Sequence, residues 1–282
     1  MNSALDLDRY FRRIGYDGSR APTLETLRAI HLLHPQAIPF ENLDPLLNRP
    51  VRLDHASLQG KLVDAGRGGY CFEQNLLFRH VLTALGFRPK GLAARVVWMM
   101  PASEGMPPRS HMILLLEVDG DPYIADVGFG GVTLTAPLRL QTGIEQATPH
   151  GPMRLMEAAG DFLLEAKIRN EWTPVYSFDL REQYPVDYEI TNWYHSTCPD
   201  SQFVTNLVAA RPVPGCRHAL RNNLLTSYFQ DGRVERRSLH SAAELKDVLE
   251  NVFGLALPDV PNLLPTLARL AESAEAKRAA SR

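Results

Sequence analysis

A chain of 282 residues is long enough for one large domain or two to three smaller ones, each with a substantial core. Apolar residues at 45% and charged residues at 22% are the proportions of an ordinary soluble globular protein. A formal net charge of -2 with no long basic block argues against nucleic acid or an anionic membrane surface as the main partner. The three cysteines, scattered at 71, 198 and 216, make neither a disulfide framework nor a CxxC zinc pair, so a reducing cytoplasm is the expected compartment. The opening MNSALDLDRYF carries acids early and has no apolar h-region. The longest apolar run, Met112 to Leu116, is too short to span a bilayer.

The first third reads helical. Leu5, Leu7, Tyr10, Phe11 and Ile14 form a short amphipathic face ended near Gly15, and a second helix opens at Thr23 and runs to Pro35. The segment from His34 to Leu43 is too proline-bound for a helix and too apolar for a free linker. Ser57 can cap a third helix that stops before Gly66, and Phe72, Leu76, Leu77, Val81, Ala84 and Leu85 recur at helical spacing in a fourth, closed by Gly86.

From about residue 90 the period changes to that of strands. These are expected at Leu92 to Trp98, His111 to Val118, Tyr123 to Val127, Val132 to Leu140, Phe162 to Ile168 and Trp172 to Phe178, with Asp119-Gly120-Asp121-Pro122 as a hairpin turn. A small antiparallel barrel or sandwich follows. A helix is expected around Pro185 to Tyr194, then a second hairpin across Gln230-Asp231-Gly232. Ser241 with Glu244 three residues on marks a capping box, and the charged, alanine-rich tail from Glu272 to Arg282 is expected to fray.

Arg67-Gly68-Gly69-Tyr70-Cys71-Phe72-Glu73-Gln74-Asn75 joins two glycines, a cysteine and the start of the fourth helix. A helix N-terminus offers unpaired N–H groups and the positive end of its dipole, so it favours the thiolate of Cys71 and should lower its pKa. The glycines allow a sharp turn and keep bulk away from the sulfur. The competing account is a small buried apolar cysteine. Its weight depends on whether a base and an orienting acid are within reach.

The first hairpin offers both. His111 begins one strand and Asp126 ends the returning one. With a two-residue turn at Asp119-Gly120, Asp126 falls opposite Ile113 and becomes the diagonal neighbour of His111, close enough for imidazole to reach carboxylate. A carboxylate in an apolar strand needs a buried partner, and His111 supplies one. Gly128-Phe129-Gly130-Gly131 opens no helix, so neither the Walker nor the Rossmann pattern is met. His31 with His34, and His195 with Cys198, lack further ligands, and no metal is expected. Arg67 and Glu73 read as a structural ion pair fixing the cysteine loop, with Asn75, Glu41 and Asn42 as polar braces.

Taken together, RGGYCFEQN at 67–75, IPFENL at 38–43, His111 opening a strand, ADVGFGG at 125–131 and NWYHSTCPDSQF at 192–203 resemble the arylamine N-acetyltransferases, over nearly the whole chain. The resemblance implies an α+β fold with a papain- or transglutaminase-like Cys71-His111-Asp126 core. A helical bundle at 1–88 would carry the cysteine, an antiparallel β-barrel at 89–200 the histidine and aspartate, and an α/β lid would occupy 201–282. It implies acetyl-coenzyme A as donor, aromatic amines or hydrazines as acceptors, Phe40 and Phe129 lining the acceptor pocket, and Gly130 and Gly131 near the coenzyme. Val97 joins the two phenylalanines as an apolar wall suited to a small flat acceptor, and the backbone N–H of Phe72 is the candidate oxyanion donor. The alternatives are an amide synthase acting on a carrier-bound acyl chain and a thiol hydrolase or transglutaminase-like enzyme using the same three residues.

Overall fold

The computed structural model describes residues 5–101, 105–158 and 160–279. Its first third is helical: α1 (Leu7–Ile14), α2 (Leu24–Ala37), the short β1 (Phe40–Glu41), α3 (Leu43–Leu46), α4 (His55–Leu58) running into a π-helical segment Gln59–Asp64, and α5 (Cys71–Ala84). Two boundaries differ from the sequence reading. Pro35 lies inside α2, which continues to Ala37 and is closed by the Ile38 N–H on the His34 carbonyl. Pro35 removes the bond to the His31 carbonyl, and only two more residues follow before the helix ends. The cap of α4 is Asp54, whose carboxylate accepts the Ser57 N–H. The expected C-terminal glycine of α5 is present: Gly86 has φ +92, with its N–H on Thr83 and that of Phe87 on Leu82, a Schellman closure.

An eight-stranded antiparallel sheet follows, in spatial order β5-β4-β3-β2-β9-β8-β7-β6. Its strands are β2 (Lys90–Val96), β3 (Arg109–Val118), β4 (Asp121–Ala125), β5 (Leu138–Arg139), β6 (Glu145–Gln146), β7 (Met153–Ala158), β8 (Asp161–Ile168) and β9 (Glu171–Gln183). The β3–β4 turn has two residues, Asp119 and Gly120, both at positive φ, which matches the right-handed twist of the flanking strands. The strand expected at Val132 to Leu140 shrinks to Leu138–Arg139, because 128–136 is a turning loop anchored by Thr133. Strand β7 was not legible in its mixed sequence MRLMEA.

Alternation along β3 and β4 feeds two cores. Met112, Leu114, Leu116 and Val118, with Tyr123 and Ala125, pack with the helices around α5, whereas Ile113 and Ile124 point into the barrel cluster with Leu92, Tyr176 and Phe178. His111 shares its side with Ile113 and Asp126 shares its side with Ile124, so both belong to the barrel-facing row.

After α6 (Pro185–Thr197) and α7 (Gln202–Thr205) come β10 (Val208–Val213), β11 (Cys216–Arg221), β12 (Leu224–Phe229) and β13 (Val234–Ser238). These strands form a second sheet in which β1 pairs with β10. Helices α8 (Ala242–Asp247) and α9 (Leu263–Ala279) cover it, sharing a core that takes in Leu43, Leu46 and Leu47 from the first third. The tail expected to fray is helical through Ala279, and positions 280–282 lie outside the described residues.

Candidate active site

The cysteine is the first residue of α5 and is buried, at 4% exposure. Its loop is shaped by steric demand. A Cβ on Gly68 would stand 2.1 Å from the Pro39 carbonyl oxygen, and one on Gly69 would meet the Glu73 carboxylate at 2.7 Å. Neither glycine has a positive φ, so it is room that the loop requires here. The Glu73 carboxylate accepts the Tyr70 N–H at 3.1 Å and closes the first turn. The Cys71 thiol points at the Ser110 carbonyl, 3.8 Å away, next to His111.

His111 and Asp126 meet as the hairpin parity requires, Nε2 to Oδ2 at 2.8 Å. Asp126 has no solvent exposure, and its other oxygen accepts from Asn75 Nδ2 and the Gly128 N–H, each at 2.9 Å. Burial works against the Asp126 charge, but His111 and these donors outweigh it and hold the carboxyl below its ordinary range. Burial likewise opposes protonation of His111, yet the Asp126 carboxylate and Cys71 raise its pKa overall. With Nε2 engaged by Asp126, Nδ1 is the ring nitrogen left for the sulfur. The ring of Phe129 stands edge-on to His111 at 5.2 Å, and Tyr176 is equally close.

The expected Arg67–Glu73 pair does not form. Arg67 instead donates to Glu41 at 2.8 Å and Asp44 at 3.1 Å, while Lys61 bridges Asp44 and Glu73, each at 2.7 Å. Arg67 and Glu73 point to opposite ends of this buried cluster, and Lys61 completes the link. The reason is local: Glu73 faces back along its own helix turn to Tyr70, out of reach of the arginine. Burial pushes the Glu73 carboxyl up to about 7 although Lys61 pulls it down. Asn75 braces the Asp126 segment and not the cysteine loop, donating also to the Met112 carbonyl and accepting the Val127 N–H. Asn42 does not reach the cysteine loop; it ties α3 to the C-terminal segment through the Phe203 and Asn206 carbonyls and the Val208 N–H.

Phe40 is brought in by β1: its ring lies 3.5 Å from where a Gly130 Cβ would sit. Gly130 has φ +93, and a Cβ on Gly131 would meet open space. Val97 is half-buried beyond β2 and bonds the Val175 carbonyl, beside Tyr176. Several neighbours take roles that the sequence reading did not assign to them. His34 joins Tyr10 and Gln74, each at 2.7 Å, and Gln74 spends its amide on the Ile38, Pro39 and Gly69 carbonyls, fixing the cysteine loop. His195 reaches the same Ser110 carbonyl as Cys71, at 3.2 Å. The available signal was polar residues at helical spacing on otherwise buried faces of α2 and α6. Among the described residues no group of three or more His, Cys, Asp or Glu side chains is arranged to hold a metal, and no helix is long and apolar enough to cross a membrane. A separate open groove of about 820 Å³, lined by Arg28, Leu32, Tyr123 and Ile144 among others, includes none of the expected site residues.

Comparison with known proteins bears on this geometry. Residues 23–261 match the family model described as N-acetyltransferase. The arylamine N-acetyltransferase of Escherichia coli K12 is 45% identical over 254 residues, 90% of each chain, and that of Mycolicibacterium smegmatis is 44% identical over 260 residues, 91% of this chain and 94% of the other. The solved Mycobacterium tuberculosis enzyme superposes with TM-score 0.90 at 40% identity, covering 93% of this chain and all of its own. The Mycobacterium marinum enzyme, solved in complex with CoA, gives 0.91 at 41% identity, covering 94% and 99%. With the fold and about nine-tenths of both chains matched, this chain belongs to the arylamine N-acetyltransferase family of acyltransferases.

Proposed function

We propose that this protein acetylates arylamines and arylhydrazines from acetyl-coenzyme A by a ping-pong mechanism, through an acetyl group held on Cys71. The observation that carries the reading is the 2.8 Å His111–Asp126 bond beside a cysteine that opens a helix. His111 takes the Cys71 proton on Nδ1, and Asp126 holds the ring in its working orientation. The sulfur attacks the thioester carbonyl, a new S–C bond forms, and coenzyme A leaves as a thiolate of similar basicity, collecting the proton from His111. The first half-reaction is therefore nearly isoenergetic and reversible. The amine then attacks the acetyl carbon, the S–C bond breaks, and His111 accepts the proton that nitrogen loses.

The Phe72 N–H, in the first turn of α5, is the proposed oxyanion donor. Phe40, Phe129 and Val97 supply the apolar acceptor walls, and the open space at Gly131, next to the buried Gly130, supplies the approach for the donor. The α1–α5 segment presents the nucleophile, the barrel its base and acid, and the C-terminal sheet the cover. The three free cysteines fit a reducing compartment such as the cytoplasm.

Intact-protein mass after mixing with acetyl-coenzyme A, without acceptor, tests the proposal. The wild type is expected to gain one acetyl group that an arylamine or arylhydrazine discharges, and Cys71→Ala to gain none. Asp126→Asn is expected to stay folded and lose about 10³-fold or more in the acylation rate, through the wrong imidazole tautomer. A folded wild type that takes no acetyl group would reject the mechanism.

A further inference from the structure

Three consecutive backbone N–H groups follow the last residue of β4, and all three are taken by side chains. The β3–β4 ladder ends at the Leu114–Ala125 pair. Beyond it, the Gly128 N–H returns to the Asp126 carboxylate at 2.9 Å, the Val127 N–H goes to Asn75 Oδ1 at 3.0 Å, and the Asp126 N–H goes to His31 Nε2 at 3.1 Å. The strand must stop pairing here for the Asp126 carboxylate to turn towards His111. Each freed donor then needs a new acceptor, since the segment is buried. His31 is the acceptor that comes from α2.

We propose that His31 is a positioning residue of the acetyl-transfer site, its Nε2 lone pair gripping the Asp126 N–H and so setting the carboxylate against His111. This rests on the reading of Cys71, His111 and Asp126 given above. The chemistry of the ring decides its form. A neutral imidazole has one donor and one acceptor nitrogen, so acceptance at Nε2 puts the proton on Nδ1. His31 is completely buried, edge-on to Phe78 at 5.7 Å, and Nδ1 finds no acceptor in hydrogen-bond geometry among the described residues. Burial holds the ring neutral, with a pKa lowered to about 4 although the Asp126 charge pulls it up. The grip therefore persists throughout the neutral range.

Two variants and one spectrum test it. His31→Leu keeps the apolar volume but removes the acceptor. His31→Gln restores one, because Gln Oε1 lies as many bonds from Cβ as Nε2 does. Single-turnover acetylation of Cys71 by acetyl-coenzyme A is expected to slow about tenfold in the leucine variant and to recover to within roughly threefold of wild type in the glutamine variant, with KM for acetyl-coenzyme A moving less than about twofold in both. Equal rates in the two variants would overturn the proposal, as would a loss that only follows the folded fraction measured by thermal unfolding. If the leucine variant does not fold, ring ¹⁵N shifts of the wild-type protein decide: a bare Nε2 on His31 supports the grip and a protonated Nε2 refutes it. A wild type that takes no acetyl group rejects the acyl-transfer reading instead, and the spectrum then still decides the bond.

Discussion

Buried histidines in this chain divide by what their rings bond. His111 faces a carboxylate and its pKa rises, whereas His31 and His34 bond only neutral groups and theirs fall to about 4 and about 3, burial being the main cause in both. Below pH 6.5 the unfolded chain binds protons that folded His31 and His34 refuse. Stability should then decline as pH falls, by up to about 1.4 kcal/mol per pH unit for each histidine, until the folded rings titrate. His111 works in the other sense: its contribution is complete below pH 6.5, where both states hold the proton, and is lost as pH rises towards its folded pKa. Urea midpoints are therefore expected to fall between pH 6.5 and pH 4.5, and His34→Gln to make the fall shallower. Glu73, its carboxyl raised to about 7, works against one histidine over this window, so the slope decides: equal slopes in wild type and His34→Gln would contradict the assignment of neutral buried rings.

At the level of elements, the loop before α5 shows why glycine is required without any unusual backbone angle. Gly68→Ala places a methyl group 2.1 Å from the Pro39 carbonyl oxygen, so either the β1 segment or the cysteine loop must move. A stability loss of about 3 kcal/mol is expected, with acetylation reduced further than the folded fraction explains; thermal unfolding and single-turnover mass measurements report the two. Much of this architecture was legible beforehand. Asp119-Gly120 fixes a two-residue turn, parity then places His111 and Asp126 in one row, and Gly86 marks the end of α5. What spacing could not supply was the choice among partners distant in sequence. Arg67 lies six residues from Glu73 but bonds Glu41, 26 residues away, and Lys61 gave no hint that it would join Asp44 to Glu73. The loop at 128–136 also misled, because Val132, Thr133, Leu134 and Thr135 carry strand propensity that the Thr133 side-chain bonds override.

Across the whole molecule, backbone pairing and side-chain bonds tie the C-terminal sheet to the first third beside their shared core. Phe40 pairs with Ala210, Arg211 bonds the Gln36 carbonyl, and Asn42 alone satisfies three backbone groups at 203, 206 and 208. Asn42→Ala leaves those groups without their partner and is expected to cost about 2–4 kcal/mol by urea denaturation. Hydrogen exchange should accelerate in β10 and β11 before it does in β2 and β3; uniform acceleration would contradict the Asn42 tie as a local anchor of that sheet.

The three N–H groups after β4 also carry a kinetic consequence. Two of their acceptors stand 95 and 52 residues away, on α2 and α5. Such contacts bear the loop-closure cost of distant pairing and form late, after α5 can already exist. Catalytic competence is then among the last properties the chain acquires as it folds. A molecule halted before that closure holds a cysteine on a finished helix, and no enzyme.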